Sequence, residues 1–207
     1  MKVYVLPLGN VVFYPGTSKP LNVVEPHYVQ MIQDSIRLNI PVAIGFVDDP
    51  SREHFFQYNQ NLEFVPHVVG YGIPLILEVR PDGSLLIFLQ GKGKARLGKV
   101  LNEGLPYIVC EAENLTELND VRPDHLGALM TLHKVLVQWV SGHVTDPYQR
   151  EVFLKNLRQP EEVVGCFASF LVRDNDMQQM ILESDNINEK IDLIHGMVSS
   201  GEAGALR

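Results

Sequence analysis

The sequence has few cysteines and few basic residues. Its 207 residues include only two cysteines, Cys110 and Cys166, which are far apart and form no CxxC pair. This spacing disfavours a zinc ribbon or thioredoxin chemistry. Lysine and arginine number 17 against 25 aspartates and glutamates, giving a net charge of −8. A nucleic-acid partner is therefore disfavoured, because nucleic-acid-binding domains are usually basic.

Long apolar runs are also missing. No segment reaches the roughly 18 consecutive apolar residues that a membrane-spanning helix needs. The opening MKVYVLPLGNVV carries one basic residue and is interrupted by Pro7 and Gly9, which does not fit a signal peptide. We therefore expect a cytoplasmic protein with no membrane partner.

Catalytic and metal-binding motifs are absent from the sequence. No histidine lies in an HExxH or HxH motif, and no serine lies in a GxSxG motif. Residues 93–100 approach the phosphate-loop pattern, but Val100 stands where the magnesium-binding hydroxyl is required. We predict no catalytic residue, no metal ligand, no cofactor and no enzymatic activity. An enzyme with an unrecognised site is the weaker alternative.

What is present divides the chain into two parts. Residues 1–117 are predicted to form a β-rich subdomain, residues 118–198 a helical bundle, and residues 199–207 a flexible tail. Charge divides near the same place, with 9 basic and 11 acidic groups in residues 1–115 and 8 and 14 in residues 116–207. The fold class expected is α+β.

Local patterns predict the individual elements. Apolar runs predict strands, and proline at the first helical position or a capping residue predicts helix starts. Pro81, Asp82 and Gly83 predict a hairpin turn between two apolar runs. The strands expected are Val3–Pro7, Pro41–Val47, Leu75–Val79, Ser84–Leu89 and Tyr107–Cys110. The helices expected begin at Pro26, Pro123, Pro147, Pro160, Met177 and Asn186, the last with a capping box to Glu189.

The helix that begins at Pro123 has an apolar stripe with a period near 3.6 residues. We predict that this stripe faces the core of the helical part. Its members are Leu126, Leu129, Met130, His133, Leu136, Val137 and Val140.

Two surface features could bind a partner. Phe55, Phe56 and Tyr58 follow a polar loop, and clustered loop aromatics can dock an extended peptide. Alternatively, Phe55 or Phe56 begins a strand and fills the core. The second feature is the basic cluster of Lys92, Lys94, Arg96 and Lys99, in which the first three would point to one side of a strand. It is either an anion or RNA patch, or a solvated strand face that protects a sheet edge.

The order of motifs resembles the N-terminal substrate-binding domain of the Lon ATP-dependent protease. The resemblance is carried by residues 5–16 (VLPLGNVVFYPG), 20–28 (PLNVVEPHY), 69–96, 159–163 (QPEEV) and 182–191. It implies a PUA-like pseudo-barrel followed by a helical bundle. In the protease this region is not catalytic; it captures substrates and helps to assemble the oligomer.

The resemblance implies a non-catalytic binding module of the peptidase S16 family. We expect it to bind unfolded polypeptide or a protein partner, with no ATPase or protease activity, because the sequence ends before either module would begin. The alternative is an RNA-binding PUA-like protein. A homo-oligomer is left open.

Overall fold

The computed structural model describes residues 1–47, 62 and 65–200. The chain folds as two compact units, Met1–Leu115 and Thr116–Arg207. The first contains a mixed six-stranded sheet and the second is built from helices. This architecture confirms the predicted α+β class.

The first unit contains one helix among the described elements, and five of its six strands overlap predicted ones. Two predicted bounds are wrong, because the strand expected at Leu75–Val79 already begins at Val68 and the one expected at Ser84–Leu89 continues to Val100. The sixth strand, Ser18–Val23, was not predicted from the sequence. The elements are β1 (Lys2–Gly9), β2 (Ser18–Val23), α1 (Pro26–Leu38), β3 (Val42–Val47), β4 (Val68–Val79), β5 (Leu85–Val100) and β6 (Ile108–Leu115).

The long strand β5 closes the sheet into a barrel. The strand order is β2-β5-β4-β3-β1-β6, and β5 also pairs with β6. The ring β5-β4-β3-β1-β6 is therefore continuous, and it uses the second half of β5, where Lys94–Leu97 pair with residues 112–115 of β6. The first half of β5 extends beyond the ring and pairs with β2 on one side and β4 on the other. The pseudo-barrel predicted from the resemblance is confirmed.

Each face of the barrel strands packs in its own core, because side chains alternate between faces along a strand. Small and β-branched side chains from all five ring strands fill the interior, including Val5, Val69 and Ala95. The opposite faces pack beneath α1, where Met31 and Ile32 are fully buried. Leu85, Ile87 and Leu89 of β5 lie in this second core, although Ala95 of the same strand lies in the interior, because a register shift opposite residues 91–93 changes the face.

The predicted strand end at Pro7 is wrong, because β1 continues to Gly9. The N–H of Tyr4 donates to the carbonyl of Pro41 on the β3 side, so alternate residues, including Pro7, direct their backbone nitrogen to the β6 side. Pairing with β6 ends at Val5. The N–H that proline lacks would therefore have had no partner in the ladder.

The predicted turn at residues 80–83 is confirmed. The Arg80 N–H donates to the Ser84 carbonyl at 2.9 Å, and Gly83 adopts a φ of 85°. The Asp82 carboxylate accepts from the Ser84 backbone N–H at 3.0 Å and from its hydroxyl at 2.7 Å. These hydrogen bonds lower the pKa of Asp82. The turn thereby fixes the register of β4 against β5.

The segment that joins β1 to β2 crosses β4 and β5 at very short range. A Cβ atom placed on Gly70 would lie 1.8 Å from the backbone oxygen of Phe13. Gly91 donates its N–H to the Thr17 carbonyl at 2.8 Å and accepts from the Gly16 N–H at 3.2 Å. Gly70 is therefore required by the close approach of two backbones.

In the second unit, a 3₁₀ turn at Pro123–His125 precedes the first α-helix, which therefore begins three residues later than predicted. The other four predicted helix starts are confirmed to within two residues. The α-helices are α2 (Leu126–His143), α3 (Pro147–Lys155), α4 (Pro160–Leu171), α5 (Asn175–Glu183) and α6 (Ile187–Ser200). Because α6 reaches Ser200, the first two residues of the predicted tail are helical, and residues 201–207 lie outside the described part.

Side-chain caps are present at several of these starts, including the two that the sequence predicted to be capped. The Asp146 carboxylate accepts from the Gln149 N–H at 2.8 Å, as its position before Pro147 predicts. Asn186 caps α6 through the Asn188 N–H at 3.0 Å. The predicted capping box is wrong in its second half, because the Glu189 carboxylate accepts from the hydroxyl of Ser184 instead.

The predicted stripe of α2 is partly wrong. The fully buried positions are Leu132, Leu136 and Val140, whereas Met130 is 72% exposed and Leu126 is 48% exposed. Apolar residues occur all around this helix, so the periodicity alone did not determine which face is buried. The outward-facing residues of α2 are therefore available to line a surface groove.

A strap of residues 117–122 is tied to α6 by backbone and side-chain hydrogen bonds. Leu118 accepts from the Ile187 N–H at 3.0 Å, and Asn188 receives the Arg122 N–H at 2.9 Å. The Lys190 ammonium lies 2.6 Å from the Glu117 carboxylate, and both side chains are buried. The strap and α6 are therefore held by a buried ion pair as well as by the backbone.

Candidate functional site

The extension of the sheet beyond the barrel has an apolar outer face. Directly opposite residues of antiparallel strands share a face, so Pro20 of β2, Phe88 of β5 and Leu75 of β4 form one row across three strands. The inner face of the same strands carries Ile87 and Leu89, which are fully buried. We name the outer row, together with Leu77, the apolar face.

The side chains of the apolar face reach solvent. Leu75 is 52% exposed, Leu77 46% and Phe88 37%. Leu77 occupies the extra position of a β-bulge between Ile76 and Glu78, which re-aims side chains locally. Large apolar side chains clustered on one exposed face mark an interaction surface, whereas single exposed ones do not.

The hairpin end of this face is held by polar contacts. The Arg80 guanidinium donates to the side-chain oxygen of Asn22 at 2.9 Å, joining β4 to the edge strand β2. Because this bond connects the two outer strands of the extension, it holds the apolar face as one surface.

The edge strand β2 is poorly suited to the addition of another strand. Among the described strands it pairs only with β5, but Pro20 removes one donor from it. Lys19 lies opposite the buried Leu89, and partial burial lowers the pKa of its ammonium group. An inward-directed lysine and a proline on an edge strand both oppose strand addition. A ligand of this site would therefore be recognised by its side chains.

The predicted aromatic site at Phe55, Phe56 and Tyr58 lies outside the described residues. It stays a prediction.

The basic cluster does not form one exposed row. Lys94 is fully buried, whereas Lys92, Arg96 and Lys99 are exposed. Lys94 and Arg96 point to the same side of β5, because the ladder with β4 is uninterrupted between them. Lys94 lies opposite Gly70, where the backbone of Phe13 crosses the sheet, which accounts for the burial of Lys94 alone. Arg96 also lies 3.7 Å from the Glu113 carboxylate. An anion patch on the three exposed residues stays a prediction.

The arrangement that most resembles a catalytic site surrounds His125. Its Nδ1 lies 2.9 Å from Asp124, and its Nε2 lies 3.0 Å from Asp192 of α6 and 3.0 Å from the Arg122 guanidinium. The hydrogen bond to Asp124, and to a lesser extent the one to Asp192, raises the pKa of His125. In the described part of the chain, the hydrogen-bond partners of the histidine are two carboxylates and a guanidinium, and none is a nucleophile. We interpret the cluster as an ionic link between the 3₁₀ turn and α6.

This link predicts a pH-dependent stability. The pKa of His125 is higher in the folded protein than in the unfolded chain, where it is about 6.5. The protonated histidine therefore contributes its full stabilisation when the pH is below the unfolded pKa. The contribution is lost as the pH rises through the folded pKa. The difference in urea midpoint between the native chain and His125→Gln should therefore be larger at about pH 6 than at about pH 8.5. An equal difference at both pH values would contradict the assignment.

The two cysteines are buried, as predicted, and both are free thiols. Burial raises the pKa of Cys110 and of Cys166 to about 12. Neither thiol is a nucleophile at neutral pH, because the thiolate is the reactive form. Among the described residues, no group of three or more histidine, cysteine or acidic side chains could hold a metal ion. None of the described helices is long and apolar enough to cross a membrane.

A family model confirms the resemblance. The model of the ATP-dependent protease La (LON) substrate-binding domain matches residues 2–200. The chain belongs to the Lon substrate-binding domain family.

Curated relatives of this Lon-type domain are much longer proteins. This chain is 26% identical over 196 residues to the Lon protease of Parabacteroides distasonis, and the match covers 90% of this chain. Over 187 residues it is 26% identical to Lon protease 2 of Syntrophobacter fumaroxidans. The chain spans 22% of the length of each of these two relatives.

Solved structures show the same fold. The Lon N-terminal domain protein of Xanthomonas campestris has a TM-score of 0.66 at 17% identity, with 95% of this chain and 98% of that chain covered. The N-terminal domain of the Mycobacterium avium complex Lon protease has a TM-score of 0.69 at 14% identity, with 96% and 98% covered.

The apolar face was missed in the sequence of this Lon-type domain, although a signal was present. The apolar runs Leu75–Val79 and Ser84–Leu89 flank one turn and leave almost no polar residue for a solvent-exposed face. An antiparallel hairpin with one solvated face should alternate polar and apolar residues. The missing alternation indicates a second apolar face that needs a partner.

Proposed function

We propose that the chain is a non-catalytic module that binds unfolded or extended polypeptide on the apolar face. The observation that carries the proposal is the exposed row of Pro20, Phe88 and Leu75 on a three-stranded extension of the sheet. Burial of such side chains against apolar groups of an unfolded chain is favourable by about 25 cal/mol per Å². Folded proteins hide those groups, so the face would discriminate between unfolded and folded partners.

Membership of the Lon substrate-binding domain family supports the polypeptide as ligand. The family match concerns the substrate-binding domain and neither the ATPase nor the protease domain, which supports binding without catalysis. The inward-directed Lys19 and the missing N–H of Pro20 on the edge strand β2 favour recognition by side chains over extension of the sheet.

Removal of two side chains tests the proposal. The variant Leu75→Ser/Phe88→Ser should bind a fluorescein-labelled, reduced and carboxymethylated globular protein at least about tenfold more weakly than the native chain. Fluorescence anisotropy measures the affinity. The probe protein in its native, disulfide-bonded form should bind neither the native chain nor the double variant.

The matched control is Ile36→Ser, which removes an exposed apolar side chain from α1. It should bind the unfolded probe like the native chain, and circular dichroism should show all three proteins folded. Equal affinity of the double variant and the control, or no binding by the native chain, would refute the proposal.

A further inference from the structure

The helical unit contains an apolar groove that is separate from the apolar face. It lies between α2 and the residues that lead from α3 into α4, and it encloses about 720 Å³. Leu157 and Val163 are almost fully buried and form its floor. Met130 and Pro160 form its rims, with Met130 largely exposed. This volume is in the range of ordinary ligand sites, which is about 300–1,000 Å³.

The charged residues of the groove are all of one sign. Lys134 and Arg158 line it, beside His133, and no carboxylate does. This contrasts with the unit as a whole, since residues 116–207 carry 14 acidic and 8 basic groups. The nearby Glu162 carboxylate is occupied, because it accepts the backbone N–H groups of Arg158 and Gln159 at 2.9 Å each. The groove is therefore an apolar cleft with cationic rims in an acidic unit.

The secondary structure around the groove restricts the backbone of a bound segment. Between residues 116 and 200 the structure contains helices and one isolated bridge, Leu118 to Asn186, and no strand. An extended peptide would find no strand with which to form backbone hydrogen bonds here. This is unfavourable, because buried backbone N–H and carbonyl groups need hydrogen-bond partners. A helical segment satisfies its own backbone and can lay its apolar side into a groove.

We propose that this groove binds an amphipathic helical segment of a partner protein, with carboxylates flanking its apolar residues. Apolar side chains of the segment would enter the cleft above Leu157 and Val163. Its carboxylates would pair with Lys134 and Arg158 at the rims. The occupant differs in chemistry from the unfolded polypeptide proposed for the apolar face, so separate probes can distinguish the two sites.

Three synthetic peptides of about 14 residues test the charge and the apolar requirement. The first has leucines at i, i+4 and i+7 flanked by glutamates, the second has lysines in place of the glutamates, and the third has serines in place of the leucines. By fluorescence anisotropy at low salt, the glutamate peptide should bind at least about tenfold more tightly than either other peptide. Its affinity should fall as salt is added, because rim charges are screened.

Charge reversal of the groove provides the decisive comparison. Lys134→Glu/Arg158→Glu should reverse the preference, so that the lysine peptide binds more tightly than the glutamate peptide. The matched control Lys155→Glu/Arg173→Glu changes the net charge equally outside the groove and should keep the native preference. Met130→Ser should weaken binding of the glutamate peptide.

Other outcomes would overturn the proposal. Equal affinity for the glutamate and lysine peptides would indicate a merely apolar cleft, and an unchanged preference in the groove double variant would place the charges elsewhere. Sedimentation showing dimers that the peptide dissociates would make a second copy the occupant. Leu75→Ser/Phe88→Ser should still bind the glutamate peptide, which separates failure of this inference from failure of the proposed function.

Discussion

Replacement of Lys190 by methionine is expected to lower the free energy of unfolding of the helical unit by about 3–5 kcal/mol. The Lys190 ammonium lies 2.6 Å from the Glu117 carboxylate, with 4% and 13% of the two side chains exposed. The substitution removes the cation and leaves a charge in a site of low dielectric constant. Removing one partner of a buried ion pair costs more than the pair itself contributes to stability.

Urea unfolding followed by tryptophan fluorescence measures this effect. Trp139 is the only tryptophan of the chain and lies on α2, so its emission reports on the helical unit. The control is Lys190→Met/Glu117→Leu, which removes both charges and should recover most of the lost stability. Equal stability of Lys190→Met and the native chain would contradict the prediction, because it would mean that the Glu117 carboxylate does not need the Lys190 ammonium group.

Replacement of Gly70 by alanine is expected to destabilise the barrel unit by at least about 3 kcal/mol. The new methyl carbon would lie 1.8 Å from the Phe13 backbone oxygen and 2.7 Å from its carbonyl carbon. A backbone group cannot rotate away as the end of a flexible side chain can. The segment between β1 and β2 must therefore leave the sheet, and the buried Phe13 side chain must move with it.

Near-ultraviolet circular dichroism detects this change, because the buried tyrosines Tyr4 and Tyr14 lie in the barrel unit. The matched control is Gly196→Ala on α6, where the new methyl group would meet open space. That substitution should stabilise the helical unit by about 0.5–1 kcal/mol, because alanine favours the helix over glycine. A native-like tyrosine spectrum and stability for Gly70→Ala would refute the close approach.

Residues that act locally were predictable from the sequence. The turn at Pro81–Gly83 and the helix starts at Pro26, Pro147 and Pro160 each follow from fixed φ angles or a capping group within a few residues. Closure of the barrel followed only from the family resemblance, since pairing of β5 with β6 depends on distant parts of the chain.

Two features of the candidate surfaces could not be predicted for physical reasons. Met130 was assigned to the core because α2 is apolar around its circumference, and only tertiary packing selects Leu132 and Leu136. Lys94 was assigned to solvent with the rest of the basic cluster, whereas the segment between β1 and β2 covers the sheet at Gly70, directly opposite Lys94. In both cases the local pattern was consistent with burial or exposure, and contacts distant in sequence decided between them.

The continuity of β5 has a mechanical consequence. This strand of 16 residues carries Phe88 on the apolar face and Ala95 inside the barrel, without an intervening loop. At about 3.3 Å per residue, the two positions are joined by roughly 23 Å of extended backbone. Tension on a polypeptide gripped at Phe88 would pass along this covalent path into hydrogen bonds with β4 and β6, which share the load. The proposed binding surface is therefore joined to the barrel wall by a single uninterrupted strand, so that a load applied to it would be distributed over the sheet.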